Sequence, residues 1–111
     1  MLVSRSSPFG SLTRTRILLA LALLPESHPR ELARILGGAL SGVQLAVRSL
    51  EKDGLIAGRS VGRTRVFRLD PRYFAARDLL SYLRTLAAAE PQIRERVAAL
   101  RQRPRVTGKP L

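Results

Sequence analysis

The chain has 111 residues, with 20 Lys and Arg against 8 Asp and Glu, so its formal net charge is +12. This length suits one small domain with a buried core and excludes a multidomain enzyme. Because 45% of the residues are hydrophobic, the positive charge belongs to a folded chain rather than to a disordered basic tail.

The cysteine and histidine content excludes most kinds of catalytic and metal site. The chain has no cysteine and one histidine, His28, which excludes disulfides, thiolate nucleophiles and cysteine-based metal sites. We interpret His28 as a surface loop residue rather than a metal ligand, and no paired carboxylates lie in an apolar pattern that would raise a pKa. We therefore predict no enzymatic activity, no bound metal and no cofactor. The lack of disulfides is compatible with a cytoplasmic protein.

The first predicted elements are an arm and an apolar helix. Residues 1–11 mix Ser, Pro and Gly without periodicity, which predicts a flexible N-terminal arm. A helix should follow over residues 12–24, and its apolar stripe is wider than a single core contact requires. We expect the extra face, with Leu18, Leu19 and Leu23, to meet either another helix or another subunit.

The apolar run over residues 17–24 raises the question of a membrane segment. It is far shorter than the ~20 residues that cross a bilayer. Arg5, Arg14 and Arg16 precede it as in a signal peptide, but no small-residue cleavage pattern follows it. We interpret the run as part of the first helix and predict no membrane association.

Two short helices come next. Pro29 is typical of a first helical position, and a helix over residues 29–36 should end at Gly37. The spacing Ser41-x-x-Gln44 matches a capping box, which predicts Ser41 as the N-cap of a helix over residues 42–52. This third helix carries an apolar seam and should end at Asp53-Gly54. The seam consists of Val43, Ala46, Val47 and Leu50.

The sequence period changes after residue 54. Residues 55–59 and 64–69 predict two short strands, joined through residues 60–63 with Gly62 in the turn. Phe67 and Leu69 should face the core. A helical pattern then runs from about residue 74 to residue 89 and resumes after Pro91 to about residue 101. Residues 103–111 form a basic tail that lacks the apolar residues of a core.

This order of elements resembles a known DNA-binding unit. The segments RELARILG (30–37), LSGVQLAVRSLEKDGLI (40–56) and RSVGRTRVFRL (59–69) resemble the winged helix-turn-helix domains of bacterial and archaeal regulators, particularly the ArsR-like group. The resemblance implies a mainly α fold with a small β-hairpin over residues 12–74, followed by a C-terminal dimerisation helix within residues 75–102. The cysteine ligands of ArsR-type metal sensors are absent, so metal sensing does not carry over.

The third helix should place polar residues opposite its apolar seam. There Gln44 could pair with adenine, Arg48 with guanine or a phosphate, and Leu45 could contact a thymine methyl group. The alternative is an ordinary solvated helix face. An exposed Leu beside Gln and Arg favours groove contact.

The predicted hairpin carries the strongest electrostatic signal. Arg59, Arg63, Arg65 and Arg68 lie close together without an acidic residue among them, which favours contact with phosphates. The alternative is that the arginines protect an edge strand from aggregation. Together, the predicted DNA-contacting residues are Arg30, Ser41, Gly42, Gln44, Leu45, Arg48, Arg59, Gly62, Arg63, Thr64 and Arg65.

The distribution of charge predicts a partner-facing helix. Residues 30–72 and 94–111 each carry a net +5, whereas residues 73–93 between them carry none, and interface cores are depleted of charged residues. The resemblance implies a two-fold dimer that places two recognition helices about 34–36 Å apart. The alternative is that the leucine stripe packs only on its own domain. The predicted interface residues are Ile17, Leu18, Leu19, Leu23, Leu79, Tyr82, Leu83 and Leu86.

These features predict a homodimeric transcriptional regulator that binds double-stranded DNA in a sequence-specific way. The helix over residues 41–52 would enter the major groove, and the wing over residues 59–65 would contact the minor groove or the backbone. The sequence indicates no small-molecule effector. The alternatives are a winged-helix module for protein docking or RNA binding, and a nonspecific architectural DNA-binding protein that relies on its tail arginines.

Overall fold

The computed structural model describes residues 9–102. Within that range the chain folds into five helices and one antiparallel hairpin: α1 (Leu12–Leu23), α2 (Pro29–Leu36), α3 (Leu40–Lys52), β1 (Ile56–Val61), β2 (Thr64–Leu69), α4 (Ala76–Ala87) and α5 (Pro91–Gln102). This architecture confirms the predicted mainly α fold with a small hairpin. Most of the predicted arm (residues 1–8) and the whole predicted basic tail (residues 103–111) lie outside the described residues.

Helix α1 is the central helix of the fold. Ser11 caps it, because the Ser11 Oγ accepts a hydrogen bond of 3.1 Å from the backbone N–H of Arg14. Just before this cap, Phe9 is half-buried against the core, so the folded part of the chain begins inside the segment predicted as a flexible arm. The helix contacts α2, α3, α4, α5 and β2, which explains why its apolar stripe is so wide.

The central position of α1 corrects five predicted interface residues. Ile17, Leu18 and Leu19 of α1 are completely buried within one protomer, and so is Leu83 of α4, while Leu86 is 3% exposed. Their assignment to a dimer face is wrong because the protomer's own helices already cover these side chains. Of the two alternatives for the extra face of α1, packing against other helices therefore accounts for Leu18 and Leu19.

Helix α2 begins and ends as its sequence predicts. Pro29 is its first residue, and the Nδ1 of His28 accepts a hydrogen bond of 3.3 Å from the backbone N–H of Glu31. The only histidine of the chain is therefore a helix cap. The helix ends at Gly37, whose φ of +72° lies in the left-handed region that favours glycine.

Helix α3 begins earlier than the predicted capping box allows. Its N-cap is Ala39, which makes no side-chain cap bond, and Ser41 is already the second helical residue. The capping-box prediction is wrong because half-buried Leu40 extends the apolar seam toward the N-terminus and so shifts the start of the helix. The seam itself is confirmed, with Val43, Ala46, Val47 and Leu50 all buried. At the other end the helix stops before Gly54 as predicted, and Gly54 takes a left-handed conformation with a φ of +81°.

The hairpin is longer and its turn is tighter than predicted. Ser60 and Val61, which were expected in the connection, pair with Arg65 and Thr64. The turn therefore consists of Gly62 and Arg63 alone, and Gly62 has a φ of +64°. A third short segment joins the sheet, because Ser27 and Phe67 exchange two backbone hydrogen bonds of 2.9 and 2.7 Å.

The last two helices pack on the same core as the rest of the fold. Leu83 and Leu86 of α4 and Ile93 and Val97 of α5 belong to one hydrophobic cluster with residues of α1 and α3. Helix α5 also contacts the end of α2, where Arg96 Nη1 donates a hydrogen bond of 2.8 Å to the carbonyl oxygen of Ile35. Among residues 9–102, no helix combines the length and the hydropathy that a membrane crossing requires.

Candidate nucleic-acid interface

The exposed face of α3 is the first part of the site. Its seam is buried, so Ser41, Gly42, Gln44, Leu45 and Arg48 lie toward solvent on the other side of the helix. Leu45 is 66% exposed, so its side chain is accessible to a ligand on this face. Buried Leu50 and Val43 fix α3 to the core, so these exposed residues lie on a rigid helix.

The polar side chains on this face are not used by the protein itself. Within residues 9–102, neither Gln44 nor Arg48 forms a side-chain hydrogen bond or an ion pair, and Arg30 at the start of α2 also has no acidic partner. Their donors and acceptors are therefore available to a ligand, and they are the residue types that read base edges and phosphates.

Arg63 occupies the tip of the wing. It lies in the two-residue turn with Gly62, is exposed, and has no acidic partner in the described part of the chain. Gly62 has no side chain and its Cβ position faces open space, so the backbone of the tip could approach another surface closely. Thr64, which follows the turn, is also exposed.

Arg65 points back toward the body of the domain. Its Nη2 lies 3.0 Å from the Glu51 Oε2 at the end of α3, and its guanidinium carbon lies 5.2 Å from the centre of the Phe67 ring. The side chain also fills the space beside Gly58, where no Cβ would fit. Arg65 therefore connects the wing to α3, and only half of its side chain is exposed.

Arg59 also has an acidic partner in the free protein. Its Nη2 lies 2.6 Å from the Glu26 Oε1, and both side chains remain largely exposed. The two pairs, Arg59 with Glu26 and Arg65 with Glu51, join residues far apart in sequence. The count of arginines in the hairpin therefore overstates how many of them are free.

Arg14 is a site residue that the sequence interpretation missed. From α1 its Nη2 binds the Asp53 Oδ2 at 2.9 Å, its Nη1 binds the Ser49 Oγ, and its Nε binds the Phe9 carbonyl oxygen at 2.5 Å. Its side chain is only 17% exposed. Arg14 therefore fixes the C-terminal end of α3. The one available signal was an arginine in the polar first turns of α1, ahead of its apolar run.

A turn beyond the wing contains the carboxyl group with a perturbed pKa. The backbone N–H of Arg72 donates a hydrogen bond of 2.9 Å to the Asp70 Oδ1, and the Arg72 guanidinium lies 3.3 Å from the same oxygen. These bonds, with the charge of Arg68 nearby, lower the pKa of Asp70 despite an opposing effect of burial. The turn therefore favours the ionised carboxylate.

Three of the predicted interface residues keep accessible surface. Leu23 and Leu79 are half-buried and Tyr82 is 46% exposed, with its ring centre 6.0 Å from that of Phe9. The structure does not gather acidic residues or histidine into a metal site: among residues 9–102, no group of three or more such side chains has a metal-binding arrangement.

The comparisons with known proteins rest on structure. No protein-family model matches the chain, and no curated protein sequence matches it. The crystal structure of the adhesin competence repressor AdcR from Streptococcus pyogenes is similar, with a TM-score of 0.61 and 22% identity. The match covers 78% of this chain and 64% of AdcR, so the chain spans less than two thirds of that repressor's length.

Two structures of mutant ZitR from Lactococcus lactis are also similar. One, in apo form, has a TM-score of 0.55 and 18% identity, and covers 75% of this chain and 65% of ZitR. The other has a TM-score of 0.54 and 19% identity, and the match covers 83% of this chain and 73% of ZitR. At these identities the likeness establishes the fold, so the chain has the winged-helix architecture that its motifs predicted.

Proposed function

We propose that this protein binds double-stranded DNA in a sequence-specific way and regulates transcription. Helix α3 would enter the major groove, and the wing tip at Arg63 would contact the adjacent minor groove or backbone. The observation that carries this proposal is the exposed row of Gln44, Leu45 and Arg48, without side-chain partners within residues 9–102, on a helix whose opposite side is buried. The name of AdcR, a repressor of the same fold, supports a regulatory role.

The proposal includes a homodimer, because one protomer would present only one recognition helix. The predicted contact surface is now narrowed to Leu23, Leu79 and Tyr82, which keep accessible surface. Sedimentation at micromolar concentration should give the mass of a dimer. A monomeric mass would remove the second copy from the proposal. The finer assignment to the ArsR-like group stays a hypothesis that rests on the sequence motifs.

The decisive experiment is selection of bound sequences from a random duplex pool, followed by alanine variants. Gln44→Ala and Arg48→Ala should each reduce discrimination between the selected duplex and a scrambled one, because a bidentate base contact is worth about 1–3 kcal/mol. Gln92→Ala and Arg94→Ala are matched controls, since they remove the same residue types from exposed positions on α5.

Three outcomes separate the candidate functions. Enrichment of one motif, lost with Gln44→Ala or Arg48→Ala but not with the controls, supports the proposal. Binding that ignores sequence and disappears when residues 103–111 are deleted would favour an architectural protein. Failure to bind any duplex at low salt, together with copurification of RNA or another polypeptide, would favour a docking or RNA-binding module.

A further inference from the structure

The hairpin has a second charged face, on the side of the sheet away from the core. The predicted DNA contacts include Arg59 from this face but not Arg68. Side chains alternate along a strand, so Arg59 and Arg68 lie on the face opposite that of buried Phe67. On this outward face the structure forms a groove of about 440 Å³. The groove is lined by the charged residues Arg59, Arg68, Arg72 and Glu26, and by apolar residues that include Val66 and Pro71.

The charges in the groove are not balanced. Arg59 pairs with Glu26 at 2.6 Å and Arg72 pairs with Asp70 at 3.3 Å, but Arg68 has no acidic partner within residues 9–102. All three arginines are exposed. Three guanidinium groups therefore share two carboxylates, which leaves the groove positive and suited to an additional anion.

The position of Glu26 is fixed by the backbone beside it. Ser27 joins the sheet through its two hydrogen bonds with Phe67, so the residue before it lies at the edge of β2. From there the Glu26 carboxylate reaches across to Arg59 of β1. Carboxylates and phosphates accept the same paired hydrogen bonds from a guanidinium, so Glu26 holds an anion where a phosphate would bind.

We propose that this groove is a phosphate-binding site for the DNA backbone, and that Glu26 competes with the phosphate for Arg59. This inference rests on the proposed DNA-binding function, and it adds contacts that flank those of α3 and the wing tip. The exchange is feasible because Arg59 and Glu26 are 58% and 45% exposed, and exposed ion pairs of this kind are weak. Glu26 then limits affinity for any duplex, whatever its sequence.

The test is a salt titration of binding to a mixed-sequence duplex, measured by fluorescence anisotropy. Glu26→Gln should bind several-fold more tightly at each salt concentration, while its slope of log K against log salt should change little, because Arg59 displaces a counterion from the same phosphate in both proteins. Arg68→Gln should bind more weakly and flatten the slope by about 0.9. Arg77→Gln, which removes an exposed arginine of α4 outside the groove, should change the slope least.

A double variant tests whether Glu26 acts through Arg59. The gain from Glu26→Gln should disappear in the Arg59→Gln background, since coupled residues give non-additive effects. An equal gain in both backgrounds would mean that Glu26 acts only through its general negative field and would overturn the inference. So would an unchanged affinity in Glu26→Gln or an unchanged slope in Arg68→Gln. Unchanged thermal midpoints exclude unfolding as the cause of either effect.

Two further results separate this inference from its premise. Replacing chloride by inorganic phosphate at constant ionic strength should lower duplex affinity more in the wild type than in Arg68→Gln, because free phosphate competes with the DNA backbone for the groove. An equal loss in the two proteins would mean that free phosphate does not compete with the duplex at the groove, and would overturn the assignment of the groove to the backbone. If the wild-type protein binds no duplex, the proposed DNA-binding function itself is overturned. If the wild type binds and the groove variants bind in the same way, only the assignment of the groove is overturned.

Discussion

Helix α3 and the wing are both basic and exposed, but they use their charged side chains differently. On α3, Gln44 and Arg48 have no partner within residues 9–102, while in the wing Arg59 and Arg65 are paired with Glu26 and Glu51. The difference follows from geometry, because a helix can turn one whole face away from the core. In the hairpin, the alternation of side chains directs Arg65 back toward α3, whereas Arg59 lies on the outward face and is paired there by Glu26. Exposure therefore implies availability for Gln44 and Arg48 on the helix, but on the wing it does so only for Arg63 and Arg68, which have no acidic partner within residues 9–102.

The largest expected change in stability compares a buried leucine of α3 with an exposed one. Leu50→Ala should reduce the free energy of unfolding by about 2–5 kcal/mol, because Leu50 is completely buried and its loss leaves a cavity. Leu45→Ala should change it by less than about 0.5 kcal/mol, since that side chain is 66% exposed. Chemical denaturation measures both. Similar losses in the two variants would contradict the division of α3 into a buried seam and a presenting face.

A smaller effect is expected where the wing packs on the domain. In Gly58→Ala, the new Cβ would lie 2.6 Å from the Cε1 of Phe67 and would collide with the Arg65 side chain. The expected loss is about 1–3 kcal/mol of unfolding free energy, the usual range for overpacking. Gly38→Ala, where a Cβ meets nothing within 4 Å, is the matched control.

The measurement that sharpens the wing prediction is a double-variant cycle. If the collision with Arg65 contributes to the loss, Arg65→Ala should recover part of the stability of Gly58→Ala in thermal unfolding. A Gly58→Ala protein as stable as the control variant would show that Arg65 and Phe67 do not hold the hairpin in this position.

The elements of the fold could be predicted because their signals are local. The seam of α3 and the glycines that end α2 and α3 are visible as spacing and residue type, and so is Gly62 in the turn. The start of α3 could not be predicted, because half-buried Leu40 outweighs the capping preference of Ser41 and that contact depends on the tertiary fold.

The sequence predicted which residues lie on the candidate site, but it did not predict which other side chains they pair with. Gln44, Leu45 and Arg48 lie on the expected face of α3. The pairs formed by Arg14 with Asp53 and by Arg59 with Glu26 join residues more than 30 positions apart, so no short motif indicates them. The prediction of Ile17 as a dimer contact was wrong for a related reason. An apolar stripe does not reveal whether the residues that pack on it belong to the same chain.

Because Arg14 fixes the C-terminal end of α3, we expect its replacement to have an intermediate effect on the free energy of unfolding. Arg14→Ala should reduce the free energy of unfolding by about 1–2 kcal/mol, since it removes hydrogen bonds from a charged group to Asp53, Ser49 and Phe9. Arg14→Lys keeps the charge but lacks the planar group that reaches three acceptors, so it should recover only part of the loss. Denaturant midpoints of both variants measure this. Complete recovery by lysine would mean that charge alone holds the end of α3.

The smallest expected effect concerns the turn after the wing and depends on pH. Because the backbone N–H and the guanidinium of Arg72 lower the pKa of Asp70 in the folded protein, ionised Asp70 stabilises the fold above its unfolded pKa of about 3.9. This contribution disappears as the pH falls through the lower folded pKa. Asp70→Asn keeps an oxygen acceptor for the Arg72 N–H but no charge, so it should cost less than about 1 kcal/mol at pH 7, because the Arg72 side chain is 85% exposed and water screens the pair. In acid the wild type and Asp70→Asn should become equally stable, whereas a difference that persists there would assign the effect to the shape of the turn instead of its charge.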